Sequence, residues 1–267
     1  MSETLQILFL SVVQGLTEFL PVSSSGHLAL AQRALGVSSP GARLELFLHV
    51  GTLLSVCLFY RRRLAELIGD FLHGRRAGWL YAGWVLLSMV PAGFVYLFAK
   101  DPIERLYDAP RVVGALLVLN GLLLLCSALA DRRDRAAPRG GALSWGRALA
   151  MGVGQALAVL PGISRSGTSI TAGRLAGAAP KDAAEFSFVM SIPVIAGAAL
   201  LEFVGSAGAD KAAGLPVPLW TALAAAAVGA VVGFVALCAV VRLVSRGRFW
   251  VFGLYCLAVG AAALALA

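Results

Sequence analysis

The sequence predicts an all-α polytopic membrane protein. It reads as two inverted-topology repeats, each a re-entrant helix–break–helix pair plus three transmembrane helices, within one integral domain over residues 1–267. Three observations carry that expectation. The chain is 59% hydrophobic and 13% charged, with a mean hydropathy of +0.85, the composition of a bilayer protein rather than a soluble one. Its apolar runs are separated by short arginine-rich loops. A polar stretch broken by proline, QGLTEFLPVSSSGH at 14–27, returns in weaker form as QALAVLPGISRSGTSIT at 155–171. Matched broken helices in two halves point to a site where the halves meet near the midplane.

In chain order, residues of about 4–20 form an apolar helix that turns polar toward Pro21, where a helix must stop. Serines and Gly26 suit an unwound turn and a fresh helix start. The following helix, about 26–36, covers only about half a bilayer at 1.5 Å per residue. After a loop through Arg43, a helix over 45–60 ends at Arg61, Arg62 and Arg63, and a basic amphipathic connector runs to Arg76. Residues 79–99 span back, 100–110 form a charged loop, and 111–130 make a clean span. The arginine-rich segment 131–141 separates repeat one, about 1–130, from repeat two, about 142–267. Residues 142–160 are the first arm of the second broken element and 168–179 its short second arm. Spans follow at about 183–204, 217–241 and 249–266.

The loops set the orientation. Arg61–Arg63 with Arg75 and Arg76, then Arg132, Arg133, Arg135 and Arg139, then Arg242, Arg246 and Arg248 are expected in the cytoplasm. Segments 100–110 and 205–218 then lie outside. The first broken element enters from and returns to the outer side, the second the inner. A net charge of +8 alone would suit nucleic acid, but its placement in short loops assigns it to orientation and to membrane lipids with anionic headgroups, so no nucleic-acid partner is expected. Cys57, Cys126, Cys238 and Cys256 are scattered without metal or redox spacing. Glu3 and the lack of a basic cluster or small-residue cleavage pattern predict no cleaved signal peptide.

The chemistry concentrates in the two breaks. Gln14 and Glu18 are one helical turn apart and offer oxygen to a hard divalent cation, or a carboxylate for proton transfer. Ser23, Ser24 and Ser25 with His27 supply a nucleophile and a base, or a nucleophilic imidazole alone. Residues 161–169 are the anion-binding candidate. Gly162 frees the backbone, the following helix start offers free N–H groups, Arg165 adds a planar permanent charge, and Ser164, Ser166, Thr168 and Ser169 add hydroxyls. The plainer alternatives are small-residue helix packing and an Arg165 that snorkels to the inner surface. Packing alone, however, does not call for a Glu, a His and an Arg, each costly in lipid. Glu45, His49 and Thr52 read as supporting or packing residues. Glu185, with Ser187 and Ser191 before Pro193, reads as structural, Glu202 as reaching headgroups and His73 as solvated.

With ELFLHVGTLLSV at 45–56, PGISRSGTSITAG at 161–173 and EFSFVMSIP at 185–193 added to 14–27, essentially the whole chain resembles the bacitracin-resistance type of undecaprenyl-diphosphate phosphatase. The resemblance implies a multi-pass enzyme of the bacterial cytoplasmic (inner) membrane with inverted repeats and an active site facing the periplasmic or outer side. Such an enzyme hydrolyses undecaprenyl diphosphate to undecaprenyl phosphate and inorganic phosphate, recycling the lipid carrier for cell-wall synthesis. It implies support by a divalent cation, Mg²⁺ or Ca²⁺, held at Gln14 and Glu18, with Gln14 the weaker ligand. It also implies roles for Ser24, His27 and Arg165, and leaves open whether Ser24 or His27 attacks phosphorus. The polyprenyl tail would lie among apolar spans and the diphosphate head between the breaks. A homodimer is among the assemblies the sequence allows. The rival reading is a transporter that moves undecaprenyl phosphate between leaflets, since inverted repeats with broken helices are a transporter plan. A structural scaffold would not need this cluster.

Overall fold

In a computed structural model the described residues are 2–36, 42–136, 141–209 and 218–266. They form helices throughout, and no strand occurs among them. In order these are α1 (Glu3–Phe19), α2 (Ser24–Leu35), α3 (Ala42–Phe59), α4 (Arg61–Leu72), α5 (Arg76–Glu104), a 3-10 turn (Arg105–Asp108), α6 (Pro110–Leu125), α7 (Ser127–Ala136), α8 (Trp145–Leu157), α9 (Arg165–Leu175), α10 (Pro180–Ala209), α11 (Leu219–Ser245) and α12 (Val251–Leu266). Three stretches among the described residues, Arg76–Ala99, Pro110–Asp134 and Leu219–Ser245, are long and apolar enough to cross a bilayer.

Both breaks fall at the prolines the sequence marks, Pro21 and Pro161, and they share one capping device. Leu20 turns extended after α1. Ser23, held at φ +70°, then caps α2, its hydroxyl accepting from Gly26 N–H at 3.3 Å. Ser164 caps α9 in the same way, accepting from Gly167 N–H at 3.1 Å. Each pair folds as a hairpin. Gln6 at the start of α1 donates to Leu35 O at the end of α2. Arg147 near the start of α8 donates to Ala176 O just past α9. The α9 C-terminus is also met by Arg133, which donates to the carbonyls of Arg174 and Leu175. Cations there suit both the orphan carbonyls and the helix dipole.

Several boundaries differ from the sequence expectation, each for a local reason. The connector 61–76 is largely helix, because Leu64 and Leu67 pack on the core while Arg61 and Arg62 stay exposed. Segment 100–110 continues α5 to Glu104 and then makes a 3-10 turn. Segment 131–141 begins as helix, since Asp131 and Asp134 hold Arg174 at 3.0 and 2.6 Å. The second arm starts at Arg165 rather than 168, because the Ser164 hydroxyl caps the helix there. Ser38 and its neighbours at 37–41 lie outside the described residues, as do 137–140 and 210–217.

Glycines let the helices touch backbone to backbone. A side chain at Gly121 would meet Gly253 O at 2.8 Å, and one at Gly260 would meet Gly114 O at 2.8 Å, so α6 and α12 lie in direct contact. Gly15 brings α1 against Gly229 of α11, and Gly152 brings α8 against Ser88 of α5. Phe19, Phe186, Phe188, Met190 and Leu237 fill the main core beneath the breaks.

Candidate active site

The tips of the two hairpins meet. A side chain at Gly26 would lie 3.1 Å from the Cα of Gly162, so the breaks pass in close backbone contact. Glu18, on the last turn of α1, forms an ion pair at 3.0 Å with Arg165, the first residue of α9. Both side chains are largely buried, 8% and 14% exposed. The other carboxylate oxygen of Glu18 accepts from Ser24 Oγ at 2.8 Å and from Gln14 Nε2 at 3.1 Å. His49 on α3 is near enough to Glu18 to interact with it electrostatically. Arg165 also donates to Ser187 O at 3.3 Å. Gln14, Glu18, Ser24 and Arg165 are therefore brought into one cluster, although 147 residues separate the ion pair in sequence. Arg165 lies inside the protein rather than reaching toward headgroups.

The remaining candidates divide. Ser23 and Ser25 share a hydrogen bond at 3.2 Å beside Ser24, and Ser164 and Ser166 share another at 3.2 Å. Ser166 donates to Phe19 O at 3.1 Å and so ties the second break to the first. Thr168 donates to Ser164 O at 2.8 Å and Ser169 to Arg165 O at 2.6 Å, so both hydroxyl protons serve the first turn of α9. Ser169 also meets Ser187 Oγ at 2.7 Å. Gly162, at φ +99°, provides the turn itself.

His27 takes other hydrogen-bond partners than Ser24. Its Nδ1 lies 2.9 Å from Ser23 O, and a carbonyl only accepts, so Nδ1 carries the proton. Its Nε2 then accepts from Tyr255 OH at 3.0 Å, and the two rings stack at 5.6 Å. The serine hydroxyl is thus partnered by the carboxylate, and the imidazole by Tyr255. Glu185 pairs with Arg63 at 2.8 Å away from the cluster, and His73 is exposed, both as expected of structural and solvated groups. The side chains of Glu45 and Glu202 lie outside the described residues.

Asn120 was not anticipated. It is fully buried on α6, donates to Pro21 O at 3.0 Å and accepts from Ser164 N–H at 3.0 Å. Its only sequence signal is to be the one polar side chain in the apolar run 112–125.

The fold and the cluster together define a polytopic helical membrane protein whose two broken hairpins join an acid, hydroxyls and a guanidinium below the surface. The chain belongs to the family described as bacitracin resistance protein BacA, whose family model matches residues 7–262. An undecaprenyl-diphosphatase of Salinibacter ruber is 36% identical over 276 residues, covering 96% of each chain. One from Geobacter sulfurreducens is 38% identical over 268 residues, 96% of this chain and 95% of its own. One from Halothermothrix orenii is 33% identical over 267 residues, 99% of this chain and 98% of its own.

Proposed function

We propose that this chain is a membrane phosphatase that hydrolyses undecaprenyl diphosphate to undecaprenyl phosphate and inorganic phosphate, working at the outer side of the bacterial cytoplasmic membrane. The observation that carries the reading is the buried Glu18–Arg165 pair with Ser24 hydrogen-bonded to the same carboxylate. A guanidinium at a helix N-terminus is a binding site for phosphate charge. A hydroxyl donating to a carboxylate is a nucleophile beside its base. Relatives over the full length bear the names of diphosphatases, which favours hydrolysis over transport.

In this mechanism Arg165 turns its fork from Glu18 to the terminal phosphate. Ser24 Oγ attacks the terminal phosphorus and passes its proton to Glu18. The bond from that phosphorus to the bridging oxygen breaks, and undecaprenyl phosphate leaves. Glu18 gives its proton to the departing undecaprenyl phosphate oxygen, takes another from the water that attacks the phosphoserine, and returns it to Ser24 Oγ as inorganic phosphate departs. Ser24 rather than His27 is taken as the attacker because its hydroxyl already meets the carboxylate, while the imidazole is partnered by Tyr255. Phosphoryl transfer needs mainly position and charge stabilisation, and this set offers both.

The donor set also fits a hard divalent cation, Mg²⁺ or Ca²⁺. It is all oxygen, and Gln14 Oε1 is buried without a hydrogen-bond partner beside Glu18. Gln14 and Glu18 would hold the ion, which when bound would neutralise phosphate charge.

The two halves are proposed as inverted copies. In support, α1 packs on α11 while its counterpart α8 packs on α5, an exchange of partners between halves. The test is phosphate release from undecaprenyl diphosphate by purified protein, with and without chelator. Release that falls with chelator and with Ser24→Ala supports the reading. No release with either cation present overturns it.

A further inference from the structure

We infer that Asn120 is a positioning residue that sets the register between the two breaks and thereby brings Arg165 to the reacting phosphate. The inference rests on the Glu18–Arg165 site proposed above. A broken helix leaves backbone groups without intrahelical partners, and at membrane depth each costs several kcal/mol unless paired. One orphan of each sign occurs here: Pro21 O beyond the end of α1, and Ser164 N–H at the start of α9. A single amide serves both, Nδ2 donating to Pro21 O at 3.0 Å and Oδ1 accepting from Ser164 N–H at 3.0 Å. The Asn amide carries a neutral donor and an acceptor side by side on one rigid plane. The N–H of Ser164 also fixes which end of the amide is oxygen.

The amide has little freedom to drift. Asn120 is fully buried, and Nδ2 also lies 3.3 Å from Cys256 Sγ on α12. Its neighbour Gly121 is in direct contact with α12, so α6 is held at a fixed height. Gly162 packs on the same helix, where a side chain would meet Val113 O at 2.8 Å. Arg165 follows Ser164 directly, and Glu18 lies three residues before Pro21. A shift of either break against Asn120 therefore changes the spacing of the ion pair. Misplacement of about 1 Å at a reacting centre can cost on the order of 10²-fold in rate.

The test is steady-state phosphate release from undecaprenyl diphosphate in detergent by wild type, Asn120→Leu and Arg165→Lys, and by the double variant. Asn120→Leu keeps the volume and removes both ties. The expected result is a kcat about 10- to 100-fold lower with KM within about threefold. In the Arg165→Lys background the same change should cost less than about threefold further, because the amide acts through Arg165. A kcat within about threefold of wild type, or equal losses in the two backgrounds, overturns the inference. If Asn120→Leu does not yield monodisperse protein, Asn120→Asp, which keeps the acceptor for Ser164, takes its place in the cycle. Loss of folded protein in both variants makes Asn120 purely structural and also overturns it. Arg165→Lys alone at wild-type rate would instead sink the site reading on which this rests.

Discussion

At the scale of single residues, the buried Glu18–Arg165 pair makes the sharpest predictions. Arg165→Lys keeps the charge but loses the planar fork that fits phosphate. It should stay in the membrane yet lose about 10²–10⁴ in kcat/KM, a loss of roughly 3–5 kcal/mol of transition-state stabilisation. An arginine that only reached headgroups would be replaced by lysine at almost no cost, so kinetics within about threefold of wild type would remove the clamp role. Glu18→Gln should also fold, since an amide can still accept from Ser24, but lose about 10²-fold or more in turnover because it cannot take a proton. Near-wild-type turnover would take Glu18 out of the chemistry. The residues of this cluster were legible in the sequence because each is expensive in lipid and has no packing role to explain it. Their grouping was legible too, through the shared helix–proline–serine grammar. What was not legible is the partnering. Nothing local tells Ser24 to face Glu18 rather than His27, because that choice depends on Tyr255, 228 residues away from His27. Asn120 was hidden for the same reason, its two partners lying 99 and 44 residues off.

At the scale of elements, glycine contacts and one buried ion network hold the hairpins in place. Gly121 and Gly253 face each other across α6 and α12, each blocking a side chain on the other at 2.8 Å. Gly121→Val would have to push α12 away. Because Asn120 is the next residue, a drop in both thermal stability and kcat is the expected outcome, measured by Tm in detergent and phosphate release. Unchanged values of both would show that the two helices are not locked together. Behind α9, Arg174 is buried between Asp131 and Asp134, so Arg174→Leu strands two acids and should cost about 3–5 kcal/mol. A Tm shift of less than about 2 °C would count against a fully desolvated network. These elements explain where sequence reading of boundaries went astray. Segment 131–141 reads as loop from its charges, yet Asp131 and Asp134 are drawn into helix α7 by an arginine 40 residues and more downstream. The start of α9 was placed three residues late because a Ser cap and a Gly start look alike in sequence, whereas the cap bond singles out Ser164.

At the scale of the whole molecule, the open ends of the hairpins carry different charge. The α8–α9 hairpin opens onto arginines: Arg133 and Arg147 cap the end of α9, and Arg132 is exposed beside them. The exposed Arg61 and Arg62 at the start of α4, and Arg75 just before α5, are expected on the same face. By contrast, the α1–α2 hairpin opens at Gln6 and Gly36, where the described residues bring no such cluster. An anionic inner leaflet attracts an arginine-rich end at about 1 kcal/mol per charge near the surface, and on that ground the α1–α2 opening is predicted to lie outside. The same orientation predicts the short turn Arg105–Asp108, between α5 and α6, on the outer face and the turn around His73, between α4 and α5, on the inner one. A membrane-impermeant thiol reagent separates the two. With Cys57, Cys126, Cys238 and Cys256 replaced by Ala, a cysteine at the exposed Arg105 should label in intact cells. One at the exposed His73 should label only after the membrane is opened. Reversed labelling would turn the molecule over and place the proposed hydrolysis on the cytoplasmic side.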